Sequence, residues 1–171
     1  AGGTLNITNA GDEGIQVDDG ATPVSTFNNS GSVIITSSSD HGMENFGTFN
    51  NLMGGSFQAL NCTDDGIRMR NTGVFNNDGA IHISGSGSED IETDGTVFTN
   101  TANATFTLGA TVGIMEIKDD FNLGSSTTTF ELPDTTPGSF DQIQNFSAGT
   151  AITISSAKAH LDWGSHIPSV G

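Results

Sequence analysis

The sequence predicts an all-β fold, a parallel β-helix with three short strands in each coil of about 22–28 residues, and three repeating features in one phase predict it. Phe27-Asn28-Asn29-Ser30-Gly31, Phe49-Asn50-Asn51, Phe75-Asn76-Asn77-Asp78-Gly79 and Val97-Phe98-Thr99-Asn100 open successive copies of one motif. A second anchor, Gly14-Ile15, Gly42-Met43, Gly66-Ile67, Asp90-Ile91 and Gly113-Ile114, recurs at spacings of 28, 24, 24 and 23 residues. Alternating triplets form the third series: Leu5-Asn6-Ile7, Val33-Ile34-Ile35, Phe57-Gln58-Ala59, Ile81-His82-Ile83 and Phe106-Thr107-Leu108. Such triplets have the period of a strand that buries one face.

One coil shows how the elements follow. Thr48-Phe49-Asn50-Asn51 leads through Met53-Gly54-Gly55 to Phe57-Gln58-Ala59-Leu60, then through Asp64-Asp65-Gly66 to Ile67-Arg68-Met69-Arg70, and Asn71-Thr72-Gly73 returns to Val74-Phe75. Each corner turns within a few residues, which favours Gly at positive φ and Asn or Asp bonded to nearby backbone. Gly14, Gly31, Gly42, Gly54, Gly66, Gly73, Gly79 and Gly95 are expected in that role. Coil-to-coil pairing at about 4.8 Å stacks equivalent residues. The expected structural ladders are therefore Phe27, Phe49, Phe75 and Phe98, with Asn29, Asn51, Asn77 and Asn100 beside them. Regular coils are expected over residues 1–110. The less regular 111–171, with strand-like runs at Thr127–Leu132, Phe140–Ile143 and Ala151–Ile154, reads as further coils of the same solenoid.

Composition fits a thin core: hydrophobic residues are 33% of 171, and they recur at fixed phase instead of filling a globule. Twenty acidic residues against four basic ones give a formal charge of -16. Nucleic acid is thereby excluded as a partner, since phosphate contacts need a basic patch and Arg68, Arg70, Lys118 and Lys158 form none. Cys62 is the single cysteine, so no intrachain disulfide is available, and a small buried hydrophobe is its expected role. No apolar run is long enough to insert in a membrane. The opening Gly3-Thr4-Leu5-Asn6-Ile7-Thr8 already matches an interior repeat, which suggests a piece of a longer protein.

The later segment Phe130-Glu131-Leu132, Thr136-Pro137-Gly138-Ser139-Phe140-Asp141-Gln142-Ile143, Ala151-Ile152-Thr153-Ile154 and Ile167-Pro168-Ser169-Val170-Gly171 resembles the closing rungs of bacterial cell-surface right-handed parallel β-helix repeat proteins, of the autotransporter-passenger and large-adhesin type. The Phe-Asn-Asn coils upstream resemble their repetitive part. The resemblance implies a right-handed helix, an extracellular or cell-surface location, and a stalk or adhesive role. Adjacent coils of the full-length protein, a carbohydrate or a cell-surface ligand would then be its partners.

Carboxylates recur near the second anchor. Asp12, Asp40, Asp64, Asp65 and Asp90 are candidate Ca²⁺ ligands, because stacked like charges repel unless a cation or solvent screens them. A solvated acidic stripe is the alternative, and no EF-hand or nonapeptide calcium signature is present. His41, His82, His160 and His166 share no ligand spacing. Arg68 and Arg70 beside Asp64 and Asp65 are the one convergence of bases and carboxylates, suited to an anion or to local neutralisation. No catalytic cluster and no cofactor beyond Ca²⁺ is expected. The leading expectation is a non-catalytic structural or adhesive module. A polysaccharide-binding or polysaccharide-cleaving enzyme and a Ca²⁺-stabilised fibre module that associates end to end are the alternatives; an ice-binding face would need a more regular Thr array.

Overall fold

The computed structural model describes residues 2–18, 20, 24–94, 97–109, 113–118, 121–122, 124, 126–131, 141–145, 152–153 and 158–162, with the backbone alone for 121–122, 130–131, 145, 152–153 and 158–162. Gly95, Asp19, Asp119, Asp120, His166 and most of the segment that carries the family resemblance, 132–140 and 163–171 included, lie outside the described residues.

Three parallel sheets make a β-solenoid, each coil contributing one strand to each sheet in turn. The first sheet contains β1 (Thr4–Thr8), β4 (Ser32–Thr36), β7 (Ser56–Leu60), β10 (Ala80–Ser84), β13 (Thr105–Leu108), β16 (Thr127–Glu131) and β19 (Lys158–Asp162). The second contains β2 (Ile15–Val17), β5 (Met43–Asn45), β8 (Ile67–Arg70), β11 (Ile91–Asp94), β14 (Ile114–Ile117) and β17 (Gln142–Asn145). The third contains β3 (Thr26–Asn29), β6 (Thr48–Asn51), β9 (Val74–Asn77), β12 (Val97–Asn100), β15 (Phe121–Asn122) and β18 (Ile152–Thr153). Among the described residues no helix is long and apolar enough to cross a membrane.

Strands this short hold because most inward positions carry an apolar side chain at the same height as its counterpart above and below. Phe57 and Ala59, Ile81 and Ile83, and Phe106 and Leu108 face inward from the first sheet; Met43, Ile67, Met69, Ile91, Met115 and Ile117 face them from the second. The third sheet supplies the aromatic column. Phe27 pairs in register with Phe49, Phe49 with Phe75, and Phe75 with Phe98. Their ring centroids lie 5.3, 4.7 and 4.9 Å apart, the last pair stacked within 14°. Phe57 meets Phe49 edge to face at 5.4 Å and so ties the first sheet to the third.

Next to the rings the same strands bury an amide column. Asn29 Nδ2 donates to Asn51 Oδ1, Asn51 to Asn77, and Asn77 to Asn100, each at 2.8 Å. Asn51 also donates to the Ala80 carbonyl at 3.1 Å, and Asn29 Oδ1 accepts from Gly31 N at 3.0 Å. These bonds add to the coil-to-coil backbone bonds at the corner into the first sheet, such as Asp78 N to the Asn51 carbonyl at 2.8 Å and Ala80 N to the Gly55 carbonyl at 2.9 Å. On the outer surface Asn28, Asn50 and Asn76 form a second column in which Asn76 donates to Asn50 at 2.9 Å and Asn50 to Asn28 at 2.8 Å.

Two expectations change at the corners. Of the glycines expected at positive φ, Gly54 has one, 80°, among those described. Four further left-handed positions, Asn9, Ser37, Asn61 and Gly85, at φ of 54°, 61°, 54° and 72°, each follow a first-sheet strand, while Asn71, at 55°, follows β8 and Gly124, at 55°, lies beyond β15. Gly66 is required for closeness: a Cβ there would sit 2.2 Å from Ile83 Cγ2 and 2.8 Å from the Asp90 carbonyl. The last copy of the second anchor also shifts by one residue, because Ile91 pairs with Met115 and not with Ile114. Side chains alternate along a strand, so Ile114 facing inward would carry Glu116 into the core; the observed register buries Met115 and Ile117 instead.

Phe49→Ala should lower stability by about 3–5 kcal/mol, since it empties a fully buried ring position. Asn51→Leu should cost about 1–3 kcal/mol by leaving buried amide and carbonyl partners unpaired. The outward Asn50→Leu should stay within about 0.5 kcal/mol. Urea midpoints at constant slope measure all three, and equal shifts for Asn51→Leu and Asn50→Leu would contradict the inner column's structural role.

Candidate functional site

Titratable side chains gather at the corner before β5, β8 and β11 and on the outer face of the second sheet. The backbone ladder runs on through this corner: Gly42 N donates to the Asp65 carbonyl at 2.9 Å, and Gly66 N to the Glu89 carbonyl at 3.0 Å. Ser38 Oγ donates to the His41 carbonyl at 2.6 Å and fixes the turn. His41 is consequently held over Asp65, and Asp40 over Asp64, one coil apart.

His41 is 3% exposed and faces three carboxylates. Its Nε2 lies 3.6 Å from Asp40 Oδ1, and its Nδ1 lies 3.7 Å from Asp64 Oδ2 and 3.4 Å from Asp65 Oδ2. Asp65 N approaches His41 Nδ1 at 3.3 Å, and Arg68 Nη1 approaches Nε2 at 3.3 Å. Arg68 Nη1 is also 4.0 Å from Asp64 Oδ2, while its Nε pairs with Glu92 Oε2 at 2.9 Å. Beyond it, Lys118 joins Glu92 and sits 2.9 Å from Glu116, and Arg70 Nε pairs with Glu44 Oε1 at 3.1 Å. Gln16 donates to Glu44 Oε2 at 3.1 Å.

The proton equilibria follow from this packing. Burial pushes the Asp65 carboxyl well above the ordinary carboxylate range, although Glu89 N donates to its Oδ1 at 3.1 Å. Burial alone would also raise Glu92, but the hydrogen bond from Lys118 and the charges of Arg68 and Lys118 outweigh it and hold that carboxyl low. The same hydrogen bond to Glu92 holds Lys118 above the usual ammonium range. Asp90 has no cation of this kind among the described residues. Burial, with the Asp141 charge adding to it, pushes Asp90 up to about 6 against the hydrogen bonding of Ser86.

The five carboxylates read from the sequence as Ca²⁺ ligands therefore occupy different places. Asp40 and Asp64 come together around His41, and the exposed Asp12 joins Glu13 and Asp40 in a neighbouring cluster. Asp65 is buried beneath the ring, and Asp90 is buried, at 2% exposure, one coil further on beside Asp141. His41 was missed because no second histidine shares its spacing; its phase, one coil before Asp65, was the available signal. Arg68 and Arg70 do point outward from β8, but toward different glutamates. Cys62 is buried, and burial raises its thiol, which keeps it unreactive. No protein-family model, curated protein or solved structure matches the chain.

Asp90 generates a pH dependence whose sign is fixed. Its folded value, about 6, lies above the ordinary 3.8, so its neutral form stabilises the fold fully below about pH 4 and that stabilisation is lost as pH rises to about 6. At 1.36 kcal/mol per pH unit the cost at pH 7 is on the order of 3 kcal/mol. Asp90→Asn should be more stable than the parent at pH 7, equal to it near pH 4, and flatter between. Chemical unfolding at pH 4, 5, 6 and 7 checks this, and parallel curves for the two proteins would contradict it.

Proposed function

We propose that the chain is a passive extracellular scaffold, a stalk or adhesive segment of a bacterial surface protein of the type its repeats resemble. One observation carries this reading: each described basic side chain closes on a carboxylate from another coil, Arg68 on Glu92, Arg70 on Glu44, and Lys118 on Glu92. Groups that a polysaccharide-cleaving enzyme would aim at a sugar are engaged here in joining coil to coil.

Surface shape supports the same reading. A depression of about 280 Å³ lies at the first coil, lined by residues that include Leu5, Phe27 and Asn28, with no titratable side chain. A second of about 280 Å³, between Met53 and Thr105, holds Asp78 as its one carboxylate. Neither offers the paired carboxylates of a glycosidase. Outward positions of the first sheet, from Thr4 to Thr129, carry no Asp, Glu, Lys or Arg, and nor do those of the third from Thr26 to Thr99. Faces of mostly hydroxyl, amide and small apolar side chains suit contact with a neutral carbohydrate better than with an anionic one, given the overall charge of -16.

Incubation of the purified chain with neutral and acidic polysaccharides should release neither reducing ends nor unsaturated products. Turnover that is abolished by Asp64→Asn or Arg68→Ala would overturn the scaffold reading in favour of an enzyme. Saturable binding to a neutral polysaccharide without turnover would identify the adhesive segment.

A further inference from the structure

We propose that Asp90 and Asp141 bind a divalent cation of the calcium type at the corner before β14, where a single ion joins three successive coils. Gly113 is the centre of that corner. Asp90 N, from the coil before, donates to the Ile114 carbonyl at 2.7 Å, and Gln142 N, from the coil after, donates to the Gly113 carbonyl at 2.8 Å. Both carboxylates turn toward the glycine between them. A Cβ on Gly113 would lie 2.6 Å from Asp90 Oδ2 and 3.1 Å from Asp141 Oδ1, so any other residue there would intrude on the place the two oxygens share.

A second observation, on hydrogen bonding, points to a ligand. Asp90 is 2% exposed, and its Oδ2, the oxygen beside Gly113, has no hydrogen-bond partner among the described residues. A buried carboxylate oxygen without a donor is costly, and buried charges as a rule are paired or coordinate metals. Asp141, 7% exposed, is held in place because its Oδ1 accepts from Gly113 N at 2.8 Å. Water reaches the half-exposed Asp40 and Asp64, so those carboxylates carry no such demand.

An ion between the two oxygens answers that demand, since one divalent charge balances two carboxylates. The donor type selects the ion: carboxylate oxygens suit hard cations, whereas zinc and copper favour imidazole or thiolate. Calcium tolerates an irregular shell that includes backbone carbonyls, while magnesium asks for a regular octahedron and keeps several waters. Leu108 closes this corner, its Cβ 2.5 Å from the same point beside Gly113, and leaves little room for a hydrated ion. The position in the stack also gives the ion a task. The inner amide column ends in the coil of Asp90, at Asn100, whose Nδ2 has no hydrogen-bond partner among the described residues. From that coil onward the ion takes over the tie between coils.

The test starts from the chain unfolded in guanidinium with a chelator and refolded without metal, because both carboxylates are buried. Titration with Ca²⁺ and Mg²⁺ at matched ionic strength is read by calorimetry and thermal unfolding. One Ca²⁺ per chain should bind saturably and raise the unfolding temperature, with Mg²⁺ at least tenfold weaker. Asp90→Asn and Asp141→Asn should each weaken Ca²⁺ binding at least tenfold, whereas Asp12→Asn and Asp64→Asn should stay within about twofold of the parent. Amide hydrogen exchange of the parent gives a reading that needs no variant to fold: Ca²⁺ should slow exchange at Asp90, Gly113 and Gln142 more than at Gly42 and Gly66. Absence of saturable binding would overturn the proposal, as would equal responses to the two ions, the mark of charge screening. So would affinity lost in Asp12→Asn or Asp64→Asn but kept in Asp90→Asn and Asp141→Asn, or protection centred on Gly42 and Gly66, since either moves the ion to the exposed carboxylates.

Discussion

Parallel pairing in register places every residue directly over its counterpart one coil away, at about 4.8 Å, and the rest of the molecule answers to that constraint. Identical residues then become each other's neighbours. An aromatic ring or a primary amide tolerates its own kind, the ring by stacking and the amide because it carries a donor and an acceptor at once. A carboxylate does not. Phe and Asn accordingly repeat from coil to coil without change, while along the outward column of the second sheet Glu44 is followed by Arg68 and Arg68 by Glu92. Where the column next places Glu116 after Glu92, Lys118 reaches both.

Charge is therefore concentrated on one sheet and its corners. Glu44 and Glu92 are each 7% exposed, so their partners act at lower effective dielectric than a surface pair would experience. Salt screens such pairs less than it screens the exposed carboxylates elsewhere, and the coil-to-coil contacts persist at ionic strengths that silence the long-range field. Burial without a cation is the costly case, which Asp90 represents.

Much of this was legible because the repeat is written in residues whose chemistry tolerates repetition. Phe27-Asn28-Asn29 and its copies fixed the register of the third sheet, and the apolar triplets fixed that of the first. Legibility failed where different residues share one structural task. Asn9, Ser37, Asn61 and Gly85 all take the same left-handed corner, and no single residue type marks it. It failed again at Ile114, where the Gly-Ile dipeptide suggested one alignment and the alternation of Met115, Glu116 and Ile117 required the next. His41 stayed hidden because its partners other than Asp40 are distant in sequence, and they contribute carboxylates, not further histidines.

The two amide columns run in opposite senses. The buried one passes its donors from Asn29 toward Asn100, and the outer one from Asn76 back toward Asn28. Had both run the same way, every added coil would have lengthened a pair of aligned side-chain dipoles and built up electrical polarity along the stack. Because they oppose one another over the coils they share, their dipoles offset in part, the buried column running one coil further to Asn100 while the outer one ends where Asn76 meets Thr99. A further coil that carries both columns therefore adds less dipole along the stack than one that carries the buried column alone.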